Sequence, residues 1–184
     1  MQTDFPRFKR RPFLVPLLMP VTLLALVIAA AIWLLDARLS TVLILVRHAE
    51  IEQSNSANAR LSAEGAVRAA NLQRLLAQAK PARGVDVIYV SEDPASQQTA
   101  ATVAESMGLA VNVVPAAEWD VLPGFIGRNH AGEVALIVGT RAALLSILKS
   151  ATATDFTVAD DDYSSVFVIS RSRLSKASVV RLRY

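Results

Sequence analysis

The chain has no cysteine and only two histidines among its 184 residues. The first absence excludes disulfides, thiol catalysis and cysteine-ligated zinc. The second argues against a histidine-rich metal site, so neither a metal nor another cofactor is expected. An export compartment stays open, because a domain of this size buries enough core without covalent staples. Charge is also missing in one place. No charged residue lies between Pro12 and Leu35, a stretch of 24 residues. Beyond residue 35 the chain carries fifteen basic and fifteen acidic residues, so the remainder has no basic field to draw nucleic acid. Internal repeats and low-complexity tracts are absent.

The uncharged stretch is long enough, as a helix, to cross a hydrocarbon core of ~30 Å. Pro16 and Pro20 lie in its first half, and Trp33 sits near its far end, where an interfacial aromatic is expected. Four cations precede it, Arg7, Lys9, Arg10 and Arg11, whereas Asp36 and Arg38 follow closely. The positive-inside rule places the N-terminus in the cytoplasm and the rest on the periplasmic or extracellular side. A cleaved signal peptide is the competing reading, since Ala29-Ala30-Ala31 offers small residues. The apolar run continues past them through Leu35 and exceeds the ~7–15 residues of a signal core, which favours an uncleaved anchor. Arg10-Arg11-Pro12-Phe13-Leu14 also looks like a twin-arginine signal, but ordinary positive-inside charge accounts for it. The expected organisation is a basic tail at 1–11, a transmembrane anchor at 12–35, a linker at 36–40 and a domain at 41–184. Five linker residues reach at most ~17 Å, so the domain is expected close to the bilayer.

The most informative segment is Val42-Leu43-Ile44-Leu45-Val46-Arg47-His48-Ala49-Glu50. A short, fully apolar run of this kind reads as a buried strand of a parallel sheet. Ligands of open α/β sheets bind outside the carboxyl ends of strands, so Arg47 and His48 stand where chemistry is expected. An imidazole there suits nucleophilic attack on a phosphoryl group, with the guanidinium holding its oxygens. Further strands are expected at about 85–90, 110–114 and 134–139, with helices at about 62–79, 94–107 and from 140 to 149. Ser62 is a plausible N-cap, Pro94 opens a helix and Gly108 ends it. Residues 47–60 read as a polar loop and 115–132 as irregular with a weak helix. Closing strands at about 165–170 and 177–183 suggest an antiparallel hairpin at a sheet edge. The expected fold class is α/β, a mainly parallel sheet with helices on both faces and a C-terminal antiparallel hairpin, preceded by one transmembrane helix.

From about residue 41 to the C-terminus the chain resembles the histidine phosphatase superfamily, the phosphoglycerate-mutase-like fold. Arg47-His48 resembles its signature, and Leu61-Ser62-Ala63-Glu64-Gly65 its helix opening. Val87-Ile88-Tyr89-Val90-Ser91 resembles its second strand, Gln98-Thr99-Ala100 its following helix, and Ala135-Leu136-Ile137-Val138-Gly139 the strand that leads to a second histidine. The segments Ala159-Asp160-Asp161-Asp162-Tyr163 and Val179-Val180-Arg181-Leu182-Arg183-Tyr184 are similar to its closing part. The resemblance implies a phosphohistidine formed on His48 with Arg47 as phosphate clamp. It also implies a second arginine three or four residues before Gln-Thr-Ala, where Pro94 and Ala95 stand, and a second histidine where Thr140 stands.

Two of the four groups that would surround the phosphate are therefore missing. Arg141 or Arg60 is the possible substitute. Glu50 is a possible acid or orienting group for His48, and Glu92, Asp93, Glu118 and Asp120 are strand-end acids that read first as exposed loop carboxylates. His130 reads as a surface histidine at a helix end. The cations Arg171, Arg173, Lys176, Arg181 and Arg183 read as the solvated face of the terminal hairpin. Two functions of different class follow. One is a phosphomonoester phosphatase working through His48 on a small phosphorylated ligand. The other, which the missing arginine and histidine favour, is a non-catalytic, membrane-tethered binding or structural module, an accessory subunit beside other membrane-protein subunits.

Overall fold

The structure is a computed structural model, and it describes residues 14–38, 40–52, 59–78, 84–172 and 177–184. The basic tail at 1–11 and residues 53–58 of the polar loop lie outside the described residues. The chain forms two compact units, Met1–Ala37 and Arg38–Tyr184.

The first unit holds helix α1, Leu14–Arg38, with Pro20 inside it. Its side chains are described over 19–34. Large apolar residues there, such as Met19, Leu23, Val27 and Trp33, are exposed around the whole circumference. Among the described residues no helix is long and apolar enough to cross a membrane.

The second unit is a six-stranded mixed sheet with helices on both faces. Its strands are β1 (Thr41–Arg47), β2 (Val87–Ser91), β3 (Val111–Val114), β4 (Val134–Gly139), β5 (Ser165–Arg171) and β6 (Ser178–Arg183). Its helices are α2 (Ala63–Gln78), α3 (Pro94–Met107), α4 (Leu122–Asn129) and α5 (Arg141–Thr152). The strand order is β3-β2-β4-β1-β5-β6. β1 runs parallel to β4, and β2 runs parallel to both β3 and β4. β5 is antiparallel to β1, and β6 completes the hairpin at the edge. The parallel core and the antiparallel hairpin agree with the sequence pattern.

Alternation along β1 sorts its apolar run between two cores. Leu43 and Leu45 join Ile137, Phe167, Leu144 and Ile147 beneath α4 and α5. Val46 joins Val90, Val138, Leu72 and Val103 beneath α2 and α3. All six residues of β4 are buried, as expected of a central strand covered on both sides.

The helix ends follow their caps. Ser62 Oγ accepts the Gly65 amide at 3.0 Å, Asp93 caps α3 with Pro94 behind it, and Gly108 closes α3 in the left-handed region at φ 67°. α5 runs to Thr152, three residues past the expected end. It stops on Ala153 at φ 55°, a position where glycine, the usual stop signal, is absent. The irregular stretch resolves into a 3₁₀ turn at Ala116–Glu118 and the eight-residue α4.

Candidate active site

Topology singles out one crevice. β1 and β4 lie side by side, yet α2 leaves β1 toward one face and α5 leaves β4 toward the other. Such a switch point opens a cleft outside the carboxyl ends of the strands. His48 and Thr140 stand there, tied by the bond from the His48 amide to the Gly139 carbonyl at 3.0 Å. The end of β2 adds Asp93. The cleft holds about 150 Å³ and is lined by His48, Ile51, Ala59, Asp93, Pro94, Ala95 and Thr140.

The signature loop is pinned by backbone contacts. His48 Nδ1 lies 2.9 Å from the Ala49 carbonyl oxygen. A carbonyl only accepts, so Nδ1 carries the proton, and in the neutral ring Nε2 is the lone-pair nitrogen. The Ala49 amide donates to Thr99 Oγ1 at 3.0 Å, and Thr99 in turn donates to the Ala95 carbonyl at 2.7 Å. Gln98 Oε1 accepts the Leu61 amide at 3.0 Å, which holds the far end of the same loop. The Gln-Thr pair of α3 therefore positions the loop from beneath. Pattern matching finds the pair but not this task.

Asp93 shares the cleft with His48. Its carboxylate accepts from the Ser91 hydroxyl and from the Ser96 amide at 2.8 Å. Burial pushes its pKa up, but these bonds outweigh burial and, with the nearby His48 ring, hold it below the usual carboxylate value. Among the strand-end acids named from sequence, Asp93 is the one that lines the cleft. Glu92, Glu118 and Asp120 are exposed.

The other candidates are held elsewhere. Glu50 pairs with Arg68 of α2, whose Nε lies 2.7 and 2.8 Å from its two oxygens. That hydrogen bond lowers the Glu50 pKa. Arg141 donates from Nε to the Val158 carbonyl at 2.6 Å and meets Asp160 at 3.2 Å. Arg60 is exposed, and its neighbour Ala59, rather than Arg60, lines the cleft. Thr140, where a second histidine was expected, spends its hydroxyl on the Ala143 amide as the cap of α5.

Arg47 turns to a segment 113 residues away, with Nη1 donating to the Asp160 carbonyl at 2.6 Å and Nη2 to the Tyr163 hydroxyl at 3.2 Å. Tyr163 was visible in sequence only as part of a closing motif, because contacts at this separation leave no periodic signal. His130 ends α4 but is more than a surface group. Its Nδ1 donates to Glu133 at 2.6 Å, and its Nε2 lies 2.9 Å from the Tyr89 hydroxyl, far from the His48 cleft at the opposite end of β1. Among the described residues no cluster of potential metal ligands occurs.

The site thus sets an imidazole beside a guanidinium at the switch point of a mixed α/β sheet. The sequence model of the histidine phosphatase superfamily (branch 1) matches residues 43–121. That match takes in somewhat less than half of the chain and supports membership of the superfamily. Solved structures agree in fold. The protein histidine phosphatase SixA in complex with tungstate is 12% identical with a TM-score of 0.64, the match covering 77% of this chain and 96% of that one. Phosphoserine phosphatase from Entamoeba histolytica, in complex with 3-phosphoglyceric acid, is 12% identical with a TM-score of 0.58, over 78% of this chain and 97% of that one. The mycobacterial glucosyl-3-phosphoglycerate phosphatase is 12% identical with a TM-score of 0.54, over 74% and 99%. Among curated proteins there is no match.

Proposed function

We propose that this domain is a non-catalytic histidine phosphatase fold that serves as a membrane-tethered binding or structural module, an accessory subunit within a membrane complex. The observation that carries the reading is the lack of a cation where Ala95 and Thr140 line the His48 cleft. Ala95 and Thr140 stand where a guanidinium and an imidazole would complete a cage for phosphate, and neither Arg141 nor Arg60 lines the gap. Phosphoryl transfer depends mostly on positioning and electrostatic stabilisation of equatorial oxygens. Loss of one donor from such a cage commonly costs ~10²–10³ in rate. Two missing groups, beside an ionised Asp93, leave little to stabilise a transferring phosphoryl group.

The second reading is an active phosphomonoester phosphatase. It is favoured by the Nδ1–H bond to the Ala49 carbonyl, which leaves Nε2 as nucleophile. In that reaction Nε2 bonds to phosphorus as the ester oxygen departs, and water then releases phosphate. Turnover of an aryl phosphate by the full chain separates the two readings. Identical background rates for wild type and His48→Ala are expected, and activity lost in the variant would overturn the non-catalytic reading.

The tether rests on the uncharged run 12–35 and on the exposed apolar circumference of α1. A helix apolar all round belongs in lipid or among other helices. The cations before it, Arg7, Lys9, Arg10 and Arg11, support a cytoplasmic N-terminus with the domain on the periplasmic or extracellular side. The full chain is expected to stay in the membrane pellet after alkaline carbonate washing, and a variant lacking residues 1–35 to be released. A full chain recovered in the supernatant would sink the tether.

A further inference from the structure

The Arg47 guanidinium is already satisfied as an oxyanion would satisfy it. Its two terminal nitrogens meet two oxygens, the Asp160 carbonyl at 2.6 Å and the Tyr163 hydroxyl at 3.2 Å. The guanidinium also lies over the Tyr163 ring, 4.0 Å from its centroid. The same ring leans on the His48 imidazole, with centroids 6.0 Å apart and planes at 60°. What remains of Arg47, its Nε, is buried without a hydrogen-bond partner. A guanidinium fork presents paired donors to paired oxygens, and phosphate binds it in that way. Here one segment of the chain supplies both oxygens.

That segment is anchored on each side of the contact. Val158 and Asp160 are bonded to Arg141 at 2.6 and 3.2 Å. Asp162 is buried and accepts the Ser164 and Ser165 amides at 3.3 and 3.2 Å, the Ser165 hydroxyl at 2.7 Å, and the guanidinium of Arg181. Hydrogen bonds from Ser165 and Arg181, outweighing burial, keep its carboxyl ionised below the usual range. Arg47 thus meets a preset surface.

We propose that the Asp160–Tyr163 segment is a built-in ligand of Arg47, and that Tyr163 keeps phosphate-class oxyanions off the arginine beside His48. The proposal rests on the non-catalytic reading and supplies a cause for it beyond Ala95 and Thr140. An incoming oxyanion must first displace the phenol. A hydrogen bond to a charged group carries enough free energy that releasing it is expected to raise anion affinity about ten- to a hundredfold.

The test titrates inorganic phosphate into the full chain by calorimetry. Tyr163→Phe removes the hydroxyl and keeps the stacked ring, so it guards against a folding failure in Tyr163→Ala. Both variants are expected to bind phosphate about ten- to a hundredfold more tightly than wild type, and adding Arg47→Ala is expected to abolish the gain. The proposal is overturned if Tyr163→Phe binds phosphate no more tightly than wild type, or if the gain survives loss of Arg47. His48-dependent turnover by the wild type is a separate outcome. It would sink the non-catalytic reading, and the phosphate titrations would still decide the role of Tyr163.

Discussion

Gly65→Ala is expected to destabilise the domain by about 2–3 kcal/mol, although alanine is the better helix former. Gly65 is buried in the first turn of α2. A Cβ there would stand 2.1 Å from the Glu50 carbonyl oxygen, 3.0 Å from its carbon and 3.1 Å from the Glu50 nitrogen. All three are backbone atoms, so no side-chain rotation relieves the clash. Helix propensity favours alanine by about 1 kcal/mol. Overpacking costs about 1–3 kcal/mol and more where the neighbour is rigid, so the clash wins. The neighbour is rigid here, because the Glu50 carbonyl accepts the Ser62 amide at 2.9 Å and its carboxylate is gripped by Arg68. At this domain size the loss corresponds to a fall in Tm of about 5–10 °C. Thermal unfolding followed by circular dichroism checks it. A rise in Tm would mean that α2 does not press on the signature loop.

This contact shows what patterns can and cannot reveal. The Leu-Ser-Ala-Glu-Gly stretch was legible as a helix opening, because a cap residue followed by helix formers is a local signal. That its glycine serves as a seat for the Glu50 backbone is a long-range fact. The same division runs through the chain. β1, β4 and α3 were placed nearly to the residue, since a buried parallel strand is a continuous apolar run, and Pro94 and Gly108 bracket α3. α5 was ended early because its left-handed stop is an alanine.

At the site, His48 and Arg47 were read from their strand-end position, and the gaps at Ala95 and Thr140 from the family motif. The partners of Arg47 and Glu50 were not legible. Asp160 and Arg68 lie 113 and 18 residues away, and only the folded topology brings each to its partner. Thr140 makes the point in reverse. The family resemblance leads one to expect a histidine at its position, and the structure shows a working helix cap there.

The second large effect is expected at Thr99. Thr99 is fully buried, and so is Ala49, whose amide it accepts at 3.0 Å. Valine matches threonine in shape, so Thr99→Val opens no cavity, but it leaves the Ala49 N–H buried with nothing to bond. An orphaned buried donor costs about 1–3 kcal/mol. The Thr99 hydroxyl also donates to the Ala95 carbonyl, and that bond is lost as well. Thr99→Ser keeps both bonds and gives up one methyl, worth about 0.8 kcal/mol. Valine is therefore expected to cost about 2–3 kcal/mol and serine about 1 kcal/mol, an inversion of what hydrophobic burial alone predicts.

A merely structural role would move stability and nothing else. Thr99 also fixes Ala49 through its amide, and the carbonyl of that same residue holds His48 Nδ1 at 2.9 Å, so the valine variant is expected to release the imidazole from its single tautomer. Nitrogen-15 NMR of the His48 ring reads this directly. Wild type and Thr99→Ser should show a protonated Nδ1 with a distinct, slowly exchanging resonance, and Thr99→Val should show tautomer averaging. Equal stability of the valine and serine variants, with an unchanged His48 signal, would mean that α3 does not hold the signature loop and that the ring is oriented from elsewhere.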